Sequence, residues 1–182
     1  MRARMRHPWL FAVIAVAWTV VSAGTTAAQP TQPANLGTWI LNPAKSTFSA
    51  GAAPRNATIT IETAGVGVKT TVDMLAAKDA VRHWYYIASY DGKDSPIAGD
   101  SAFNDVTVAL TRVDPNTTSG VFKKHRNVIY TETSVVSSDG KTMTISTTVT
   151  NALQMIAGTN ALIHPSATVG HGSVSVAVYD RQ

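Results

Sequence analysis

The sequence predicts an all-β domain, an antiparallel up-and-down barrel of about 8–9 strands, with a β-sandwich as the alternative architecture. Three observations lead there. After Asn35 the chain is dense in Thr, Val and Ser, residues suited to a pleated, half-buried surface. Several windows alternate apolar and polar side chains with period two. Gly, Asn and Asp clusters punctuate those windows at short, regular spacing.

Strands are expected near 37–42, 57–63, 66–74, 81–90, 105–113, 118–125, 128–136, 141–150 and 173–181. In the second, Ala57, Ile59 and Ile61 share one face while Thr58, Thr60 and Glu62 share the other. In the third, Val66, Val68, Val72 and Met74 oppose Lys69, Thr71 and Asp73. The fourth is aromatic on both faces, with Trp84, Tyr86 and Tyr90 on one and His83, Tyr85 and Ile87 on the other. Further along, Val106, Val108 and Leu110 group together, as do Met143, Ile145 and Val149, and Val174, Val176 and Val178. Each grouping is the signature of a strand with one buried face. Hairpin turns are expected at Gly65 to Gly67, Asp91-Gly92, Asp114-Pro115-Asn116, Arg126-Asn127 and Asp139-Gly140, since Asp-Gly tolerates the positive φ of tight turns. Residues 151–172 break the pattern and are expected as a long loop holding a short helical stretch at 152–157. Alternation establishes one buried face per strand but not closure, which is why the sandwich stays open.

The N-terminus has a different character. Arg2, Arg4 and Arg6 precede an uncharged run from Pro8 to Val21, and small residues follow. That order is the n-region, h-region and cleavage region of a secretory signal. The apolar run is shorter than the roughly 20 residues needed to span a bilayer core, so no membrane span is expected in the mature chain. Cleavage is expected after Ala28, or after Ala23, leaving 29–36 as a lead-in and 37–182 as one domain in the periplasm or outside the cell. Three of the 15 Lys and Arg residues leave with the signal and none of the 11 acidic residues does, so the mature net charge falls from +4 to about +1. Nucleic acid is thereby excluded as an expected partner, because phosphate binding needs a basic surface that persists. The chain contains no Cys, which excludes both a disulfide framework and a lipid-modified cysteine.

Four segments resemble a group of secreted bacterial proteins described as lipocalin-like: Gly37-Thr38-Trp39-Ile40-Leu41-Asn42-Pro43-Ala44-Lys45-Ser46, Tyr90-Asp91-Gly92-Lys93-Asp94 with Pro96, Ser138-Asp139-Gly140-Lys141-Thr142-Met143-Thr144, and Val178-Tyr179-Asp180-Arg181-Gln182. The resemblance implies a calycin-type barrel in which Trp39 begins the first strand and plugs the closed end. By the same analogy Arg181 is the basic side chain stacked on its ring. The 151–172 stretch is longer than the corresponding connection in such proteins.

Catalytic motifs do not emerge. There is no Gly-x-Ser-x-Gly elbow, phosphate-cradling loop or His-Glu-x-x-His helix. His83, His125, His164 and His171 fall in separate elements apart from the last two, so neither a metal site nor a cofactor is expected. Asp91, Asp94, Asp100 and Asp105 read as turn chemistry. Lys123-Lys124-His125-Arg126 reads as a solvated hairpin tip, with an anion or membrane-surface contact as its functional alternative. Trp84, Tyr86 and Tyr90 are the candidate ligand-binding residues if their strand lines a cavity, and core packing is the alternative. The expected function is a non-enzymatic binding protein for a small hydrophobic molecule. The other reading is a structural or inhibitor-like domain with a filled core that contacts an envelope protein through the 151–172 loop.

Overall fold

The computed structural model describes residues 32–49, 54–76, 80–150 and 172–182. Ten strands form a closed antiparallel barrel: β1 (Gly37–Leu41), β2 (Asn56–Ala64), β3 (Gly67–Leu75), β4 (Val81–Ala88), β5 (Asp91–Gly99), β6 (Val106–Arg112), β7 (Thr117–Lys124), β8 (Asn127–Val136), β9 (Thr142–Val149) and β10 (Val174–Arg181). Each strand pairs with its neighbour in sequence, and β10 returns to β1 with Trp39 opposite Arg181 and Leu41 opposite Tyr179. Closure settles the choice between barrel and sandwich, and it removes every free sheet edge. The expected loop and helical stretch at 152–157, with His164 and His171, lie outside the described residues.

The strand beyond the nine expected is β5. Its sequence, DGKDSPIAG, has no alternating apolar face, and only Ile97 in it is buried. Pro96 supplies no N–H to the ladder, and the β5–β6 register shifts between Asp91 and Asp94. These features disguise a strand held chiefly by backbone pairing, three residue pairs on the β4 side and four on the β6 side. It also moves the expected Asp91-Gly92 turn: the chain reverses at Ser89 and Tyr90, and Gly92 at φ +73° sits inside β5. Similarly, the β7–β8 hairpin turns at His125 and Arg126, both at positive φ, one residue before the expected pair.

Two expected faces are corrected. Val66 stands in the β2–β3 turn and is almost wholly exposed. On β10 the inward face is Ser175, Ala177 and Tyr179, while Val174, Val176 and Val178 point away from the lumen. The β-branched valines suit either side of a pleated sheet, so their alternation could not say which side was in. Register decides: Tyr179 lies opposite Leu41 and Met143, both buried. The other expected faces point inward, with Ala57, Ile59, Ile61, Val68, Val72, Met74, Val106, Val108, Leu110, Met143 and Val149 all in the core.

Residues 42–49 lock the seam where the barrel closes. Beyond β1 the chain makes a 3-10 turn at Pro43–Lys45 and runs along β10, where Thr47 and Val176 exchange backbone hydrogen bonds of 2.7 and 2.8 Å. Ser46 Oγ accepts from the Val178 N–H, and Asp180 accepts from Asn42 Nδ2 and Lys45 Nζ. The short β1 is thereby extended by backbone and side-chain bonds where its own ladder ends.

The strands approach closely at Gly67. A Cβ there would fall 2.2 Å from the Ala88 carbonyl oxygen on β4, and backbone atoms cannot rotate aside. Gly67→Ala is therefore expected to lower the unfolding free energy by about 1–3 kcal/mol, the range for forced overpacking. Chemical denaturation of the variant beside the parent protein measures it, and an unchanged midpoint would show that the strands can separate freely.

Candidate functional site

One end of the barrel is sealed by Trp39, which is fully buried. Its indole Nε1 donates to the Asn35 carbonyl at 2.8 Å. The Arg181 guanidinium carbon lies 4.3 Å from the ring centroid, the pairing implied by the family resemblance. Arg181 then donates through Nε to Gly140 O at 2.6 Å, through Nη1 to Leu36 O at 3.0 Å and through Nη2 to Ala34 O at 2.7 Å. One side chain thus ties the ring, the residues before β1 and the β8–β9 turn together. Gly37 is required beside it: its φ is +120°, and a Cβ would sit 3.2 Å from Arg181 Nη1. A cation held over an indole face contributes about 0.5–2 kcal/mol.

At the opposite end a 3-10 turn at Ser101–Phe103 folds inward. Phe103 is buried and packs on Trp84 with ring centroids 4.8 Å apart. Asp100 holds the turn, accepting from the Ala102 N–H and from Arg82 Nη1, each at 2.9 Å.

The barrel interior holds a cavity of about 120 Å³, bordered by Asn35, the residue Trp39 bonds, and by Trp84, the ring Phe103 packs on. Ten strands make a wider barrel than the eight whose interiors side chains just fill or which hold one small ligand. The wall is mostly apolar, with Ile59, Ile61, Val72, Met74, Trp84, Leu110, Phe122 and Met143 among its residues. The aromatic part is continuous: Phe122 stacks on Tyr130 at 4.3 Å and 18°, and Tyr86 meets Phe122 edge-on at 6.4 Å.

Polar groups enter this wall at a few points, the chief of them Glu132 on β8. It lies opposite Gly120 on β7 and Thr147 on β9, and the Thr147 side chain hydrogen-bonds its carboxylate. Because Gly120 has no side chain, nothing projects from the β7 position paired with Glu132. A Cβ at Gly120 would come 3.2 Å from Phe122 Cε2 and 3.4 Å from Leu110 Cδ2. Burial lifts the Glu132 carboxyl from the usual carboxylate range to about 7, against the opposing effect of the Thr147 bond. Part of its surface faces the lumen, so the carboxyl is enclosed by the protein without being sealed in side chains. Three phenols, Tyr86, Tyr130 and Tyr179, are raised well above the ordinary tyrosine range, mainly by burial and also by the Glu132 charge. Tyr86 is hydrogen-bonded to Thr70. Ser134, two residues along β8 from Glu132, also lines the cavity, and its buried Oγ has no hydrogen-bond partner among the described residues.

Of the three expected ligand-binding residues, Trp84 and Tyr86 stand in the cavity wall. Tyr90 does not. Period two puts Tyr90 on the face of Trp84 and Tyr86, but β4 ends at Ala88 and Tyr90 sits in the following turn. Its hydroxyl donates to Asn35 Oδ1 at 3.3 Å, and Arg112 lies over its ring at 4.5 Å, so it supports the sealed end from behind. The opposite face of β4 is uncovered, with Tyr85 and Ile87 exposed.

Sequence reasoning missed Glu132. In NVIYTETSVV both faces read as plausible interiors, since Ile129, Thr131, Thr133 and Val135 are all β-branched. A register shift between Phe122 and Lys123 buries both Ile129 and Tyr130 and sets the face that follows. The available signal was Tyr130 and Val136 sharing Glu132's face.

Among the described residues the other charged groups lie outside the lining of the lumen. His83 Nδ1 meets Asp73 at 2.7 Å on the exposed surface, and Lys123 pairs with Asp94 at 2.7 Å. Among the described residues no helix is long and apolar enough to cross a membrane.

By fold and site, then, the described residues form a closed ten-stranded antiparallel β-barrel with a hollow, aromatic-walled interior whose described lining carries one carboxyl. Comparison with protein-family models, curated proteins and solved structures finds no match.

Proposed function

We propose that this chain is an exported, non-enzymatic binding protein whose barrel interior holds one small, largely apolar molecule. The observation that carries this reading is the hollow of about 120 Å³ inside the barrel, walled by Trp84, Tyr86, Phe122 and Tyr130. Its size limits the ligand. An engineered apolar cavity of about 150 Å³ accommodates benzene, so this lumen suits a molecule of roughly one aromatic ring and is too small for a long acyl chain. The wall supplies apolar contact from the Phe122–Tyr130 pair and orientation from the few polar groups, the usual division of labour in small-molecule sites. The N-terminal pattern of Arg2, Arg4 and Arg6, an apolar run and small residues supports export. The lipocalin-like segments are in keeping with both.

Titration of ¹⁵N-labelled protein with toluene tests the binding reading. Saturable amide shifts at Tyr86, Phe122 and Tyr130, with the outer residues Tyr85 and Ile87 unmoved, are expected. Absence of any saturable shift with toluene, benzyl alcohol or benzylamine would overturn it.

A further inference from the structure

We propose that the ligand of this barrel carries a protonated amine, which pairs with Glu132 while its apolar body lies against Phe122 and Tyr130. This deepens the binding reading above and rests on it.

The charge inventory of the lumen is the first reason. Among the described residues lining the cavity, Glu132 is the one carboxylate, and none is Lys, Arg or His. A buried charge is tolerated when it is paired and hydrogen-bonded, and here Thr147 supplies a hydrogen bond but none of the described lining residues supplies a counter-ion. A cationic ligand would complete the pair. An anionic one would meet the Glu132 charge with no base to offset it.

The second reason is the form of the wall beside the carboxylate. Tyr130 stands two residues before Glu132 on the same inward face, stacked on Phe122, and the faces of such rings attract cations. Ser134 stands two residues after, and its unpartnered Oγ can accept a further N–H. An ammonium group has three donors to place, and this strand face offers a carboxylate, a hydroxyl and ring faces along one line. Gly120 opposite sets no side chain of its own against the carboxylate, and Phe122 and Leu110 pack over it instead.

The groups facing Glu132 allow a clean pH test. They are Gly120 from β7, Thr147 from β9, Tyr130 and Ser134 from its own strand, and Tyr86 and Tyr179 from β4 and β10. The phenols stay protonated at every pH of interest, so among the described residues lining the cavity Glu132 is the group that changes charge near neutrality.

Calorimetric titration of the intact domain with benzylamine, toluene and benzoate, three probes of one ring size, decides the matter. Benzylamine is expected to bind at least tenfold more tightly than toluene at pH 8, and benzoate not to bind. Since the carboxyl titrates at about 7, benzylamine affinity should fall about tenfold between pH 8 and pH 6 while toluene affinity stays level. Glu132→Gln should equalise benzylamine and toluene, with retained toluene binding showing that the variant is folded. The benzoate and pH comparisons use the unaltered protein and need no variant. If toluene binds and benzylamine binds no better, or tightens as pH falls, the amine assignment is wrong and the binding reading stands. If none of the three binds, both fail.

Discussion

Trp39→Ala is expected to lower the free energy of unfolding by about 3–5 kcal/mol, the cost of truncating a fully buried large aromatic. Three losses combine there. The ring's packing disappears and leaves a void that the closed strands cannot collapse to fill. Asn35 loses the indole N–H at 2.8 Å, and Arg181 loses the ring over which it is held at 4.3 Å. The guanidinium keeps its three carbonyl partners, so Arg181→Ala should also destabilise by opening the contacts to Ala34, Leu36 and Gly140. The two substitutions share one network and should be less than additive in a double-mutant cycle. Urea denaturation measures each term. A loss below about 1 kcal/mol for Trp39→Ala would mean that the end of the barrel is not sealed by this residue.

The second large effect is a pH dependence of the ligand-free protein. Glu132 has a folded-state pKa of about 7 against an ordinary value of 4.5. At low pH the carboxyl is neutral in both states and contributes nothing. As pH rises from 4.5 towards 7 the unfolded chain ionises first, so the folded state is progressively penalised, and above 7 the penalty is constant. At 1.36 kcal/mol per pKa unit the full penalty is about 3 kcal/mol. Glu132→Gln is expected to match the parent protein near pH 4.5 and to exceed its stability by about that amount at pH 8. An offset equal at all pH values would contradict the assignment. The surface aspartates act in the other direction and in a lower window. Asp91, Asp114, Asp139 and Asp180 are held below the usual 3.8 by hydrogen bonds, led by those of the Lys93 N–H and the Thr117, Ser137 and Asn42 side chains. Their stabilisation is lost as pH falls through that acidic range, clear of the Glu132 titration.

Under the proposed binding role, a destabilising carboxylate in the lumen gives a thermodynamic reason to bind a cation, because a cationic ligand would remove a cost already present in the fold. The same reasoning relates the two halves of the functional proposal. Ten strands create the space, and an inward-facing Glu132 gives that space a sign.

The parts of the fold legible in the sequence were those that local chemistry specifies. β2, β3, β6 and β9 announce themselves by alternation, because one buried face imposes period two on the residues that form it. The Asp139-Gly140 turn does so because Gly140 adopts φ +70°. Trp39 and Arg181 were paired by resemblance, and the geometry joins them. β5 left no such trace, since a strand with only Ile97 buried is held by hydrogen bonds from its neighbours' backbones, which side-chain patterning does not record.

By itself the sequence determined the all-β class, most strand positions and the near-neutral charge of the domain beyond the N-terminal segment. Tertiary structure alone decided closure at ten strands, the inward face of β8 and β10, and the removal of Tyr90 from the wall occupied by Trp84 and Tyr86. The physical reason is common to all of these. Alternation distinguishes two faces of a strand, but which face is inside depends on register with strands far away in sequence, and a shift of one residue exchanges them. Glu132 is the clearest case: a polar residue among threonines until β7 and β9 place it opposite Gly120 and Thr147 and make it the one charge in the barrel's described lining.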